Sequence, residues 1–190
     1  MTLHDHTCLD DITFAVHRAG TASTQWRHVR NLYATIYAEP PYCEGAADVE
    51  DFASSWAGRL SQPSFRLVVA KHDDEPVGFA FGHQLGSRTR WWDGAREGIR
   101  AEVTVERPGR TFAMIELAVS RSHRCRGVGR ELHAHVLAGL GEERVTLLVR
   151  PDVPAAQCAY RAWGYQCVGS IQPFPDAPVY DAMIKQIVGG

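Results

Sequence analysis

The sequence predicts an α/β domain in which a mixed sheet is covered by helices. Three observations predict it. Short apolar runs of strand character alternate with amphipathic stretches of helical period. Taken in order they read β-αα-βββ-α-β-α-ββ, which indicates a mixed sheet covered by helices. The chain has 190 residues, 45% hydrophobic and 22% charged, enough for one domain to bury a core without disulfides or metals. Residues 1–10 read as a loose tail and residues 11–190 as the single domain.

Composition narrows the classes. The formal net charge of -2 argues against a general nucleic-acid or anionic-membrane surface. No stretch approaches transmembrane length, and the polar, acidic start lacks the pattern of a secretion signal. The five cysteines, Cys8, Cys43, Cys125, Cys158 and Cys167, are odd in number, scattered and without a C-x-x-C pair. They read as reduced thiols in a cytoplasmic protein. Lys71 and Lys185 are the only lysines beside many arginines. An arginine is therefore weak evidence of recognition here. His4-Asp5-His6 reads as polar tail rather than as a metal site, and no metal is expected.

The elements follow in order. Ile12 to His17 alternates apolar and polar, as a strand does. Ser23 or Thr24 is placed to cap a helix to Tyr37, in which Trp26, Val29, Tyr33, Ile36 and Tyr37 recur at helical spacing. A second helix runs from Asp48, its expected cap, to Leu60, striped by Val49, Phe52, Trp56 and Leu60. Phe65 to Ala70 and Pro76 to Leu85 make a hairpin around the charged turn Lys71 to Glu75. Gly86 to Arg110 is an irregular loop, of a length usually functional or mobile. Met114 to Val119 is a strand, followed by a basic turn and a helix striped by Leu132, Val136, Leu137 and Leu140. Val145 to Val149 is a short strand. Pro154 opens the next helix and Gly164 stops it. Tyr165 to Ser170 and Val179 to Val188 are the last strands.

The segment from Met114 to Arg130 is the diphosphate cradle of the chain. Its glycines let the backbone approach a ligand, and the helix start presents N–H groups with partial positive charge. A Walker loop needs Lys-Ser/Thr after its last glycine, and Arg130-Glu131 stand there instead. A dinucleotide fingerprint needs G-x-G-x-x-G, and position 132 is Leu.

A third reading rests on two segments. Arg124-x-x-Gly127-x-Gly129 after Leu117-Ala118-Val119 resembles motif A of the GNAT superfamily of N-acetyltransferases. Ala156-x-x-x-Tyr160-x-x-x-Gly164-Tyr165 resembles a later segment of that family. Glu39-Pro40-Pro41-Tyr42 and Trp91-Trp92-Asp93 look like an actinobacterial branch of it. The resemblance implies a GNAT-like α+β domain, with a mostly antiparallel sheet of about seven strands flanked by helices. It implies an acetyl-CoA-dependent acyltransferase that moves acetyl to a primary amine by direct attack in a ternary complex. The acceptor would be a small molecule or a peptide, and a homodimer is admitted. Coenzyme-binding positions would be Leu117, Ala118 and Val119 for the pantetheine arm. Arg124, Cys125, Arg126, Gly127, Val128, Gly129 and Arg130 would bind the pyrophosphate, chiefly through backbone N–H groups.

The chemistry needs a group to take the amine's proton and a group to give one to the leaving thiolate. Tyr160 holds the family's position for the proton donor; a core tyrosine is the plain structural alternative. Glu116 is the candidate base, a carboxylate on an otherwise apolar strand; an ion-paired or solvent-facing residue is its alternative, and His83 is a lesser candidate for the role. The family's asparagine before the tyrosine is here Val153, beside Asp152, so that contact is lost or shifted to Asp152. His133 and His135 lie on different helix faces and read as surface residues. A covalent route through Cys125 or Cys158 is the lesser mechanism. An acceptor pocket is expected from Tyr33, Tyr37, Tyr42, Trp91, Trp92 and Asp93, with Asp176 or Tyr180 nearby. Tyrosines at helical spacing are equally the mark of a core. Two rival functions remain at this point: a non-catalytic acyl-CoA-binding or sensing module, and a nucleotide-binding oxidoreductase.

Overall fold

The computed structural model describes residues 9–187 apart from residue 97. The His4-Asp5-His6 segment and Cys8 lie outside the described residues. The strands are β1 (Ile12–Arg18), β2 (Arg66–His72), β3 (Glu75–Gln84), β4 (Thr111–Val119), β5 (Arg144–Val149), β6 (Gln166–Ile171) and β7 (Tyr180–Gln186). The helices are α1 (Ala19–Ala22), α2 (Trp26–Tyr37), α3 (Ala46–Leu60), α4 (Ala101–Thr104), α5 (Val128–Leu137) and α6 (Pro154–Ala162). One seven-stranded sheet runs in the order β1-β2-β3-β4-β5-β7-β6. The pairs β1–β2, β2–β3, β5–β7 and β6–β7 are antiparallel, and β4–β5 is parallel. This is the mixed sheet that the element order predicts, seven-stranded and mostly antiparallel as the family resemblance implies.

Backbone contacts divide the described chain into two compact units, residues 9–82 with 116–139 and residues 83–115 with 140–187.

In the first unit, Leu67, Val68, Val69 and Ala70 of β2 are all buried, so both faces of the strand are covered. The alternation along β3 shows by what. Gly78 faces Leu132 of α5, while Phe81 meets Trp56 of α3 with ring centroids 5.5 Å apart. Tyr33 of α2 stacks on Phe52 of α3 at 3.9 Å. Burying each such aromatic side chain contributes about 2–3 kcal/mol before the cost of ordering it. The β2–β3 turn is only two residues, Asp73-Asp74, both left-handed with φ 48° and 64°. That handedness matches the twist of a tight hairpin. Lys71, His72 and Glu75, expected in the turn, belong to the strands.

Three local expectations are corrected here. Neither Ser23 nor Thr24 caps α2. Their hydroxyls donate to the carbonyls of Gly20 (3.3 Å) and Thr21 (2.8 Å), and a 3-10 turn (Ser23–Gln25) leads into the helix. Asp48 lies inside α3 rather than at its cap, where its carboxylate accepts the Gly45 N–H at 2.8 Å. His133 is buried rather than on the surface, since it flanks the Val128, Leu132, Val136 stripe; His135 stacks on Phe14 at 5.2 Å.

Arg66 is the buried cation of this unit. Its guanidinium donates to the carbonyls of Val136 (2.7 Å) and Ala138 (2.5 Å). These are carbonyls at the end of α5, which lack helical partners and lie at the negative end of the helix dipole.

In the second unit, β7 lies between β5 and β6, with a register shift between Cys167 and Gly169 on β6. The β4–β5 ladder covers three residues, Thr111 to Ala113 against Arg144 to Thr146. The long segment after β3 is pinned rather than loose. Ala95 bridges to Ile171, Arg96 N–H donates to Ser170 C=O (2.9 Å), and Gln172 N–H donates to Gly94 C=O (3.0 Å). Trp92 is buried with Ile171, Ala182 and Ile184. Its indole N–H donates to Glu106 Oε1 at 2.9 Å, and that oxygen also accepts from Arg144 (2.7 Å) and Thr111 (3.0 Å). The four described cysteines, Cys43, Cys125, Cys158 and Cys167, are free thiols. Among the described residues no helix is long and apolar enough to cross a membrane.

Candidate active site

The first unit holds β4 from Glu116 onward, the basic turn and α5. After Val119 the chain makes a 3-10 turn (Arg121–His123) and reaches α5 through two left-handed residues, Cys125 (φ 60°) and Gly127 (φ 88°). The first conformation is one that L side chains rarely adopt, and the second is suited to glycine. Gly127 is the N-cap of α5, and its carbonyl accepts the Glu131 N–H at 3.1 Å. The N–H groups of the helix's first turn precede that bond and point along the axis, where an anion can bind them. Val128 is buried, so only its backbone is available to a ligand. Cys125 and Arg130 are exposed.

The turn is stapled from within. Arg124 Nε donates to the Val119 carbonyl (2.9 Å), and its terminal Nη1 pairs with Glu39 at 2.9 Å. Ser120 N–H donates to the Val77 carbonyl at 2.8 Å. The Ser120 and Ser122 hydroxyls each lie 2.9 Å from His123 Nδ1, and His123 Nε2 lies 3.3 Å from His72 Nδ1. The arginine that the motif assigns to the coenzyme therefore spends its guanidinium on the strand end and on the segment after α2.

Glu116 projects from β4 toward α2 and α3. Tyr37 donates its hydroxyl to Glu116 Oε2 at 2.5 Å. Burial pushes the Glu116 carboxyl up to about 7, against the opposing effects of the Tyr37 hydrogen bond and the Arg59 charge; Glu44 adds to the rise. Arg59 lies over the rings of Phe81 (5.5 Å) and Phe52 (6.0 Å), and its Nε donates to Ser55 Oγ (2.9 Å). Tyr33 hydrogen-bonds Glu44, and burial is the main reason its hydroxyl is held far above the usual tyrosine range. Tyr37 packs between Tyr33 (4.5 Å) and the edge of Tyr42 (4.8 Å). The structure thus brings together Glu116, Tyr33, Tyr37 and Tyr42, which the sequence singles out. It adds Glu44 and Arg59, which sequence reading misses. Arg59 had one signal: it sits one turn after Ser55 on the striped face of α3.

The second unit holds Tyr160, on α6. Its ring meets the edges of Trp163 (5.5 Å) and Tyr165 (5.6 Å). Asp152 is paired with Arg150, accepting Nε at 2.8 Å and a terminal nitrogen at 2.5 Å, and that pairing holds its carboxyl below the ordinary value. The carboxylate is thus already engaged at the start of α6. Val153 is the N-cap of that helix. Trp92 is core, as described above, Trp91 packs against the same cluster, and Asp93 is exposed and paired with Arg90 at 3.0 Å.

A family model described as the acetyltransferase (GNAT) family matches residues 26–165 of the chain. No curated protein matches it in sequence. Among solved structures it is similar to Ard1 from Thermoplasma volcanium, with a TM-score of 0.58 and 18% identity over 94% of this chain and 99% of that one. It is similar to the ribosomal-protein-S18-alanine N-acetyltransferase from Escherichia coli, with a TM-score of 0.62 and 16% identity over 94% and 96%. A third is Arabidopsis thaliana Naa50 in complex with the bisubstrate analogue CoA-Ac-MVNAL, with a TM-score of 0.60 and 16% identity over 93% and 99%. At these identities the likeness is one of fold.

Proposed function

The chain belongs to the acetyltransferase (GNAT) family, and from that premise we propose that it transfers acetyl from acetyl-CoA to a primary amine by direct attack in a ternary complex. The observation that carries this reading is Glu116. It is an ionisable side chain on an apolar strand, next to the Leu117 to Val119 backbone, with its carboxyl pushed up to about 7. Such a group can take a proton from an ammonium and still be ionised in neutral solution.

The coenzyme's pyrophosphate binds at the backbone of Cys125 to Arg130, where the left-handed Gly127 opens α5. Its pantetheine amides pair with the β4 backbone over 117–119. The acceptor's ammonium gives a proton to Glu116, directly or through water. The freed nitrogen lone pair attacks the thioester carbon, and the C–N bond forms. The C–S bond then breaks, and the leaving thiolate takes a proton from Tyr160, which recovers it from solvent. The second proton lost from nitrogen passes to solvent and leaves the amide neutral, and Glu116 returns its own proton to solvent before the next turnover. Tyr160 holds this role by its place in the Ala156 to Tyr165 motif. Tyr37 and Tyr42, with Glu44 nearby, offer an acceptor aromatic faces and negative charge. Free thiols, three of them on exposed turns or helix faces, suit a reducing cytoplasm.

The test is free-CoA release from acetyl-CoA over a panel of small amines and peptide N-termini, with Glu116→Gln and Tyr160→Phe beside the parent. Turnover that depends on both residues is expected. Coenzyme-dependent thermal stabilisation with no release over the whole panel would instead mark a binding module.

A further inference from the structure

The Tyr37–Glu116 contact joins the end of α2 to the middle of β4 across 79 positions of sequence. Its geometry is more constrained than an acceptor pocket requires. The ring of Tyr37 is held between Tyr33 and Tyr42. Tyr33 is itself stacked on Phe52, so the phenol cannot swing without disturbing the core. The hydroxyl is spent on one carboxylate oxygen, Oε2, at 2.5 Å.

We propose that Tyr37 is a positioning residue for the base: it holds Glu116 Oε2, so that Oε1 is the oxygen that receives the acceptor's proton. The inference rests on the direct-transfer reading above. It moves Tyr37 from the acceptor's surface to the machinery that aims the carboxylate. A carboxylate free to rotate offers either oxygen in several directions. One tied at Oε2 offers a single oxygen in a fixed direction, which shortens the search for a productive pose. The charged and titratable groups facing Glu116 are Tyr33 and Tyr37 from α2, Arg59 from α3 and Glu44 from the segment between those helices. Tyr37 is the only donor to the carboxylate among the described contacts.

The experiment follows the Glu116 carboxyl directly, by carbon-13 NMR of protein labelled at the glutamate carboxyl, with Glu116→Gln identifying the signal. Tyr37→Phe keeps the ring and its stacking but removes the donor to the charged form. The Glu116 midpoint is then expected to rise by about one pH unit, since the charged form loses its donor and water replaces part of that bond. The acidic limb of kcat/KM should move upward in parallel. Fluorotyrosine placed at Tyr37 is a stronger donor with the same fold and should move both downward. An unchanged NMR midpoint in both variants overturns the inference. A shifted midpoint with an unmoved kinetic limb sinks the base reading and the inference with it. If no amine is acetylated, the proposed function fails, while the carboxyl titration still decides whether Tyr37 holds Glu116.

Discussion

A side-chain carbon added at Gly78 would lie 2.9 Å from the carbonyl oxygen of Ala118 and 3.1 Å from Leu132 Cδ1. Glycine at this point of β3 is thus what lets β4 and α5 come as close as they do. Gly78→Ala must push either the backbone of β4 or the core of α5. The expected loss is about 1–3 kcal/mol, as for other overpacked sites, and about 2–4 °C in Tm for each kcal/mol. Because the displaced backbone is the proposed pantetheine rail, the KM for acetyl-CoA should rise as well. A Tm loss measured by calorimetry with an unchanged KM would separate the packing from the rail.

Glu106 and Arg144 form the charged centre of the second unit, with only 1% and 6% of their side chains exposed. Thr111, Trp92 and the Val103 carbonyl complete the network. Glu106→Gln leaves a buried guanidinium without its countercharge and should cost about 3–5 kcal/mol. Trp92→Phe removes one neutral donor and should cost nearer 1 kcal/mol, beyond any loss of packing. Urea unfolding of the two variants checks the ratio. Equal losses would mean that the tryptophan's packing, rather than the ion pair, holds this unit.

Gly127, at φ 88°, opens α5 where the pyrophosphate is proposed to bind. Gly127→Ala forces an alanine into a left-handed conformation, at roughly 1 kcal/mol, with its methyl 3.5 Å from Leu9 Cδ1, so that relief of the strain moves the N–H groups that open α5. Stability should fall modestly while coenzyme affinity falls about tenfold or more, since a tenfold change is 1.4 kcal/mol. The check is the thermal stabilisation produced by added CoA, which reads binding without turnover. A variant stabilised as strongly as the parent would remove this turn from the coenzyme site.

The element order was legible because each element carries its own period. Val49, Phe52 and Trp56 stripe a helix, and Leu67 to Ala70 is a strand buried on both faces. Boundaries were less so, because capping depends on side-chain hydrogen bonds that compete locally. Ser23 and Thr24 turn back onto carbonyls three residues earlier instead of capping forward. Within the site, the strand–turn–helix of residues 116–137 was legible because glycines and a basic turn leave a local mark. The partners of Glu116 were not. Tyr37 and Arg59 reach it from two helices, and no spacing within either helix records a contact made across 79 positions. Trp92 misled for the opposite reason. An aromatic in a long polar segment looks like a surface feature, and only the pinning of that segment to β6 makes it core.

The raised Glu116 carboxyl sets stability and activity in opposite directions with pH. Its folded value of about 7 lies above the ordinary 4.5 because burial penalises the charged form. The folded state therefore holds the proton more tightly than the unfolded chain. This contribution to stability is full below about pH 4.5, declines as pH rises, and is gone once pH passes about 7. Glu116→Gln cannot ionise, so it should match the parent near pH 4 and exceed it near pH 8, by on the order of 2 kcal/mol after allowing for partial solvent access. Activity runs the other way: kcat/KM of the parent should rise through pH 7 as the carboxylate forms, and Glu116→Gln should lose that limb along with at least about a hundredfold in rate. Tm and kcat/KM measured on both proteins from pH 5 to 8.5 check the pair. A parent whose stability climbs between pH 5 and 7 by the same amount with or without Glu116 would show that this carboxyl titrates where ordinary glutamates do.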